Sequence, residues 1–312
     1  MITMRAACTA VVMIITFGLC APASRVDAGE RIAVLVGSSE PPFEEALAGF
    51  QGYLAKQGIE AEYETHRFAG DASRAEQAVQ EIKKSGARLI LTLGSVGTEA
   101  AVKKAPDIPV VACLVLRSDS LARTQNATGV GLEFPLEVQF NWLRTMLPDA
   151  ETIGVIYNPD ENGKRVEAAA RIARGLGLSL VAQEVRTLQD VPSALNTLSK
   201  SVDVLWGLAD NLVLSPQIAK HVLLFSFRNS IPFIGPSSAW AKAGALYSLD
   251  WDYKDLGVQC GEMAVRVLQG ARPGEIPPAT PRKVLYSINL KTAQQIKITI
   301  SEQLVKKARN IY

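Results

Sequence analysis

The sequence contains few of the residues from which catalytic and metal sites are usually built. It has four cysteines and two histidines among 312 residues, and His66 and His221 show no metal-ligand spacing with the cysteines. No histidine accompanies a Gly-x-Ser-x-Gly motif, and the motifs Gly-x-x-x-x-Gly-Lys-Ser/Thr and Gly-x-Gly-x-x-Gly do not occur. We therefore expect no enzyme activity, no metal and no cofactor.

Charge and hydropathy argue against a nucleic-acid-binding or membrane-embedded protein. The formal net charge is +2, which leaves no basic patch large enough to bind nucleic acid. After the first 28 residues, no apolar run approaches the ~20 residues that a membrane span needs. Hydrophobic residues make up 48% and charged residues 21% of the chain, a mixture typical of a globular protein. The length allows two lobes at about 100–200 residues per domain.

The first 28 residues have the pattern of a secretory signal peptide. A positively charged start precedes an apolar stretch at 6–20, and candidate cleavage sites follow Ala23 and Ala28. Cys20 would carry the lipid in a lipoprotein, but the bulky Leu19 precedes it where such signals need a small residue. We therefore expect a protein that is exported to the periplasm, with lipid anchoring at Cys20 as the less favoured alternative.

Two cysteines remain after removal of the signal peptide. Cys113 lies in the apolar run 110–116, and Cys260 lies on a predicted helix. Both are expected to be small buried hydrophobic residues. A disulfide between them is the alternative that an oxidising compartment would permit.

Alternating strands and helices predict an α/β fold with parallel sheets. Continuous apolar runs, typical of strands buried on both faces, occur at 31–36, 89–93 and 108–116. Segments with apolar residues at helical spacing separate them. The alternation restarts near residue 128, which predicts two similar doubly wound units in tandem with a cleft between them.

Three loops connect a predicted strand to a predicted helix, the position at which open α/β sheets bind ligands. The polar residues of these loops are Ser38 and Ser39, Ser95 and Thr98, and Asp210 and Asn211, and Ser237 follows a fourth predicted strand. Helix amino ends and hydroxyls can bind a carboxylate, and Asp210 can pair with an ammonium. Together the loops predict a ligand site for a zwitterion. The alternative is that these side chains only cap helices or shape turns.

Four aromatic residues lie near the same ends of the predicted strands, namely Trp206, Trp240, Trp251 and Tyr157. Each could line an apolar pocket for the side chain of a ligand. The alternative for each is a place in the hydrophobic core.

The mature chain resembles the ABC-transporter substrate-binding proteins of the tryptophan/tyrosine type. The matching pieces run in order from Arg31 to about Ile300 and include Arg31-Ile-Ala-Val, Ala87-Arg-Leu-Ile-Leu-Thr-Leu-Gly-Ser, Ile153-Gly-Val-Ile-Tyr-Asn-Pro, Asp210-Asn211, Asp252-Tyr253 with Leu256-Gly257, and Ser287-Ile-Asn-Leu-Lys-Thr-Ala. The resemblance implies the type I periplasmic-binding fold, in which three crossovers join two Rossmann-like lobes with parallel sheets. It places lobe 1 at 30–130 plus 238–280 and lobe 2 at 131–237 plus 281–312.

The sequence departs from this family at one position of the implied cleft. Arg117-Ser118 stand where the family commonly has Asp-Pro after the fourth strand. Arg117 is therefore a candidate ligand-binding residue that could favour an additional anionic group on the ligand. The alternative is that it points to solvent.

The resemblance also implies a function. The protein is expected to be a monomeric periplasmic receptor that closes two hinged lobes around a small amino-acid-like ligand and delivers it to an ABC permease in the inner membrane. The alternative on the same fold is a sensory receptor that presents its liganded form to a membrane signalling protein.

Overall fold

The computed structural model describes residues 29–116 and 121–312. The predicted signal peptide, with Cys20, lies outside the described residues. Within the described ranges, no helix has the length and hydropathy needed to cross a membrane.

Strands and helices alternate along almost the whole described chain. The strands are β1 (Glu30–Val36), β2 (Ala61–Arg67), β3 (Leu89–Leu93), β4 (Val110–Val115), β5 (Ala127–Gly131), β6 (Thr152–Tyr157), β7 (Ser179–Glu184), β8 (Val204–Trp206), β9 (Phe233–Gly235), β10 (Tyr247–Trp251), β11 (Val284–Ile288) and β12 (Asn310–Ile311). The helices are α1 (Pro41–Lys56), α2 (Ala72–Ser85), α3 (Ser95–Lys104), α4 (Leu136–Met146), α5 (Pro159–Gly175), α6 (Val191–Leu198), α7 (Pro216–Asn229), α8 (Ser238–Ala243), α9 (Tyr253–Leu268), α10 (Leu290–Gln295) and α11 (Glu302–Lys307).

The strands form two sheets, one in each lobe. Lobe 1 has five strands in the order β2-β1-β3-β4-β5, all parallel, and lobe 2 has seven in the order β12-β11-β10-β9-β8-β6-β7, in which only the β10–β11 pairing is antiparallel. This confirms the predicted α/β class with two parallel-dominated lobes.

Helices cover both faces of each sheet, which explains why the central strands are continuous apolar runs. In lobe 1, α1 and α9 pack on one face of the sheet, and α2 and α3 pack on the other. In lobe 2, α4, α5, α10 and α11 pack on one face, and α6, α7 and α8 on the other. Each lobe therefore has two layers of core, one on each side of its sheet.

Cys113 and Cys260 lie in one of the lobe 1 layers. Both are fully buried and both carry free thiols. The Cys260 thiol contacts the carbonyl oxygen of Ala112 in β4, at a sulfur–oxygen distance of 3.6 Å. They occupy the core as small hydrophobic residues would.

The segment 238–251 joins the second sheet, whereas the family resemblance placed it in lobe 1. Its strand, β10, pairs with β9 and β11 of the second sheet, and α8 contacts the same strands. The return to lobe 1 begins only with α9, which packs on α1 and β4. The three crossovers therefore run near residues 132–135, 251–253 and 281–284.

Ion pairs connect the second crossover to the third. Asp255 lies in the first turn of α9 and is 6% exposed. Arg282 of the third crossover donates two hydrogen bonds to its carboxylate, at 2.9 and 3.0 Å, and Lys283 lies 3.0 Å from it. Burial raises the pKa of Asp255, but the hydrogen bonds from Arg282 and Lys283 outweigh burial and leave the pKa below its ordinary value.

Replacing Arg282 by glutamine should lower the free energy of unfolding at pH 7 by about 1–2 kcal/mol, less than for a fully buried pair because Arg282 is partly exposed. A carboxyl with a lowered pKa in the folded state stabilises the protein above its unfolded pKa, and this stabilisation disappears as the pH falls through the folded pKa. Urea denaturation of both proteins should therefore show a difference that shrinks as the pH falls below about 4.

Arg272→Gln is the control for this prediction. Arg272 pairs with Glu275 at 2.6 Å, but both side chains are more than half exposed. Such surface pairs contribute about 0–1 kcal/mol. An equal loss in both variants would mean that the Arg282 pair does not stabilise the crossovers.

Candidate functional site

A cavity of about 690 Å³ opens between the lobes at the carboxyl ends of β8 and β9. This is where open α/β sheets bind ligands. Lobe 2 and the first two crossovers contribute most of its lining, and Leu116 comes from lobe 1. The lining residues that carry the argument below are Leu116, Phe134, Gln139, Phe140, Asn162, Trp206, Asp210, Asn211 and Trp251.

Aromatic side chains form the apolar wall of the cavity. Phe140 of α4 packs edge-on against Trp206 of β8, with ring centroids 5.2 Å apart. Phe134 stacks on Trp251 at 5.6 Å with the rings 5° from parallel. The indole N–H of Trp206 donates to Gln139, and that of Trp251 donates to the backbone oxygen of Leu132. Because both N–H groups are satisfied, the indoles are fixed in place, and the wall suits an apolar or aromatic group.

Asp210 forms the polar end of the cavity and is 4% exposed. One carboxylate oxygen accepts the backbone N–H groups of Leu212 and Val213, both at 3.0 Å. The other accepts the backbone N–H of Asn158 at 2.7 Å and the side-chain amide of Asn162 at 2.9 Å. Asp210 therefore connects the loop after β8 to the amino end of α5. It does not cap α7, which begins six residues later.

The four donors to Asp210 are all uncharged. Among residues 29–116 and 121–312, no lysine, arginine or histidine forms an ion pair with it. These contacts correspond to the turn-shaping alternative for Asp210, and its role as a ligand contact stays a prediction. No cationic side chain of the described residues therefore pairs with the Asp210 carboxylate.

Asn162 is a further polar residue of the cavity. Its side-chain amide donates to Asp210 and to the backbone oxygen of Ala209, at 2.9 and 3.1 Å. Its side-chain oxygen is buried and accepts no hydrogen bond from the described residues. A buried acceptor without a donor is costly.

Asn211 lies at the exposed edge of the cavity. Its backbone N–H and its side-chain amide both donate to Glu161 of α5, at 3.1 Å. Glu133 and Arg165 form an ion pair in the same lining. The rim of the cavity is therefore charged, whereas its wall is apolar.

The lobe 1 candidates lie outside this lining. Ser38 is half-buried and accepts a hydrogen bond from the backbone N–H of Glu40, and Ser39 is exposed. Ser95 is the first residue of α3 and accepts from the backbone N–H of Leu116 at 3.3 Å. Thr98 is buried, donates to the backbone oxygen of Gly94 and shares a hydrogen bond of 2.7 Å with Thr92. The Thr98 hydroxyl is thus engaged within lobe 1, whereas the three serines remain predicted ligand contacts.

The remaining candidate residues are Ser237, Arg117 and the aromatic residues. Ser237 is half-buried and precedes α8, next to the lining residue Pro236. Arg117 lies outside the described residues. Trp240 packs edge-on against Phe233 in the core, and Tyr157 donates to Glu184 at 3.3 Å. Of the four aromatic candidates, Trp206 and Trp251 line the cavity, and Trp240 and Tyr157 do not.

The sequence reasoning missed most of the lining residues, among them Phe134, Phe140 and Asn162. Phe140 lies on the buried face of α4 with Leu136 and Leu143, so its periodicity indicates burial but not whether it faces core or cavity. Asn162 carries no local signal, because its partners are 47 and 48 positions away. In the described part of the chain, no cluster of His, Cys, Asp and Glu could hold a metal ion.

Two relatives share about a quarter of their residues with this chain over most of its length. A tyrosine-binding protein of Clostridioides difficile is 26% identical over 273 residues, which cover 82% of this chain and 77% of the relative. The structure of an ABC domain in complex with L-Trp from Streptococcus pneumoniae is 25% identical, covers 91% of this chain and 100% of its own, and superposes with a TM-score of 0.63.

A third comparison concerns the fold. The ligand-free, open structure of a substrate-binding protein with adhesive properties from Clostridium difficile is 23% identical and has a TM-score of 0.77, with 90% of this chain and 98% of that chain covered.

The family model of ABC transporter substrate-binding proteins matches residues 31–312. The chain therefore belongs to the family of ABC transporter substrate-binding proteins, which bind solutes and are not enzymes.

Proposed function

We propose that this protein is a monomeric periplasmic receptor that captures an aromatic amino acid and delivers it to an ABC permease. The observation that carries the proposal is the combination, in one cavity, of an aromatic wall and a buried carboxylate that pairs with no cationic side chain of the described residues. The aromatic wall would bind the side chain, and Asp210 would attract the α-ammonium. Relatives that bind tyrosine and L-Trp support the ligand class.

The carboxylate of the ligand would be bound from lobe 1. The amino end of α3 presents free backbone N–H groups and a partial positive charge, with Ser95 at its first position. Ser38 and Ser39 follow the neighbouring strand β1. Because these residues lie outside the cavity lining, binding would require the lobes to close about the crossovers. The ligand drives closure only if it binds the closed form more tightly.

Calorimetric titration tests the ligand class. We expect binding of L-tryptophan or L-tyrosine and a loss of at least about 100-fold for indole-3-propionate, which lacks the ammonium. L-Leucine serves as the comparison for the aromatic wall and should bind more weakly. If the folded protein binds neither L-tryptophan nor L-tyrosine, the proposal is contradicted. Mass spectrometry of small molecules released from protein purified from its native periplasm would then identify the ligand class.

An uptake assay tests delivery. Deletion of the gene should reduce import of the labelled ligand into intact cells, and restoring it should restore import. A receptor that only signals to a membrane protein would leave uptake unchanged. That outcome would favour the sensory role and leave the ligand assignment in place.

A further inference from the structure

Leu116 is an exposed apolar residue at the opening of an apolar cavity. Its relative exposure is 71%, the largest among the exposed large hydrophobic residues of the described chain. It nevertheless belongs to the lining of the cavity, where it is the lobe 1 residue among those that the structure describes. Val96, which follows Ser95 at the start of α3, is also exposed. Exposed leucines are common on protein surfaces, so the position of this one, and not its exposure alone, carries the argument.

The backbone before Leu116 is irregular. Cys113 pairs with Val130 and Val115 with Gly131, so Leu114 is an extra residue that forms a β-bulge between β4 and β5. Leu114 has a φ of 58°, in the left-handed region that leucine rarely adopts. A bulge changes the direction in which the following side chains point. Here the buried strand β4 is followed directly by a leucine that projects from lobe 1.

Hydrogen bonds hold this corner in position. The backbone N–H of Leu116 donates to the hydroxyl of Ser95, and the backbone N–H of Leu132 donates to the oxygen of Val115. The end of β4 is thereby connected both to the start of α3 and to the first crossover. Leu116 would therefore move with lobe 1 as a unit when the lobes close.

We propose that Leu116 covers the side chain of the bound ligand, so that lobe 1 contributes an apolar contact formed only when the lobes close. This inference rests on the proposed function and adds a specificity-determining residue to it. The aromatic wall of lobe 2 contacts one part of the ligand side chain, and Leu116 contacts the part that would otherwise remain in water. Closure then removes apolar surface of both Leu116 and the ligand from water, which favours the closed form.

Thiol labelling tests whether the ligand covers this position. The native Cys113 and Cys260 are fully buried, so the thiol of Leu116→Cys should be the one that reacts rapidly with N-ethylmaleimide. Saturating L-tryptophan or L-tyrosine should slow its labelling at least tenfold. Leu224→Cys is the matched control, because Leu224 is 39% exposed on α7 and does not line the cavity. Its labelling rate should not change with ligand.

Titration of Leu116→Ala with the same two amino acids gives a second measurement. Loss of the contact should weaken binding of the aromatic ligand about five- to twentyfold, and Leu224→Ala should bind as the wild type does. If the wild type binds the ligand and the labelling of Leu116→Cys is the same with and without it, Leu116 is not covered and this inference is wrong. If the wild type binds neither amino acid, the proposed function fails and this inference fails with it.

Discussion

Replacing Asp210 by asparagine should weaken the binding of an aromatic amino acid by at least about 100-fold, because a ligand ammonium would lose its buried negative partner. The same substitution should also destabilise the empty protein by about 1–3 kcal/mol. The Asp210 carboxylate accepts four hydrogen bonds, two on each oxygen. An asparagine can accept on one side only and places an NH₂ group against donors on the other.

Two measurements separate the two roles. Thermal or urea unfolding of the empty protein reports the structural role, and calorimetric titration of the folded protein with L-tryptophan and indole-3-propionate reports the electrostatic one. If Asp210 pairs with the ammonium, Asp210→Asn should lose most of the preference for L-tryptophan over the analogue. A variant that is less stable but keeps this preference would assign Asp210 to structure alone.

Asp203→Asn is the matched control. Asp203 lies immediately before β8, whereas Asp210 follows the same strand. One carboxylate oxygen of Asp203 accepts the backbone N–H groups of Glu151 and Thr152. An asparagine oxygen can accept both bonds, and Asp203 does not line the cavity. Removal of a carboxylate at this end of β8 should therefore leave ligand affinity unchanged.

The regular part of the fold could be predicted because its residues repeat a pattern. β3 and β4 are buried along their length and β1 is buried over its last five residues, and parallel strands covered by helices on both sides read as continuous apolar runs. The helical spacing of apolar residues then identifies α1 and α2 between them. For these elements local sequence and global fold agree, so the α/β class follows from the sequence.

The division into lobes could not be predicted in detail. The alternation of strand and helix is the same in both lobes, and it does not show which sheet a strand joins. The family resemblance placed β10 in lobe 1, although its backbone pairs with β9 and β11. Backbone pairing places it in lobe 2, and no local pattern records which strands pair.

The candidate site was predicted in location but not in composition. The loop after β8 was identified because polar residues follow a buried strand. The groups that hold Asp210 come from Asn158 and Asn162, 52 and 48 positions away. Thr98 shows the converse case, since a hydroxyl at a helix amino end can face a ligand or, as here, a neighbouring strand. Only the three-dimensional structure distinguishes these directions.

Replacing Gly257 by alanine should lower the free energy of unfolding by about 3 kcal/mol, because it introduces a side chain where two helices meet through their backbones. A Cβ at Gly257 in α9 would overlap the carbonyl oxygen of Ala46 in α1 and lie 2.8 Å from the backbone nitrogen of Phe50. Gly49 of α1 makes the reciprocal approach, since its Cβ would overlap the carbonyl oxygen of Lys254.

Backbone atoms within helices cannot rotate away as a side chain can. The added methyl group therefore forces α1 and α9 apart over the core layer that they share with β4. Urea denaturation should show the loss as a lower transition midpoint with a similar slope.

Gly52→Ala provides the control with the opposite sign. Gly52 lies in the same helix, α1, and a Cβ built on it has no atom within 4 Å. Alanine is favoured over glycine in a helix interior by about 0.8–1.0 kcal/mol, so this variant should be more stable than the wild type. The two substitutions make the same chemical change, and only the position of the neighbouring helix differs. If Gly257→Ala were as stable as Gly52→Ala, α1 and α9 could not be in the close contact described here.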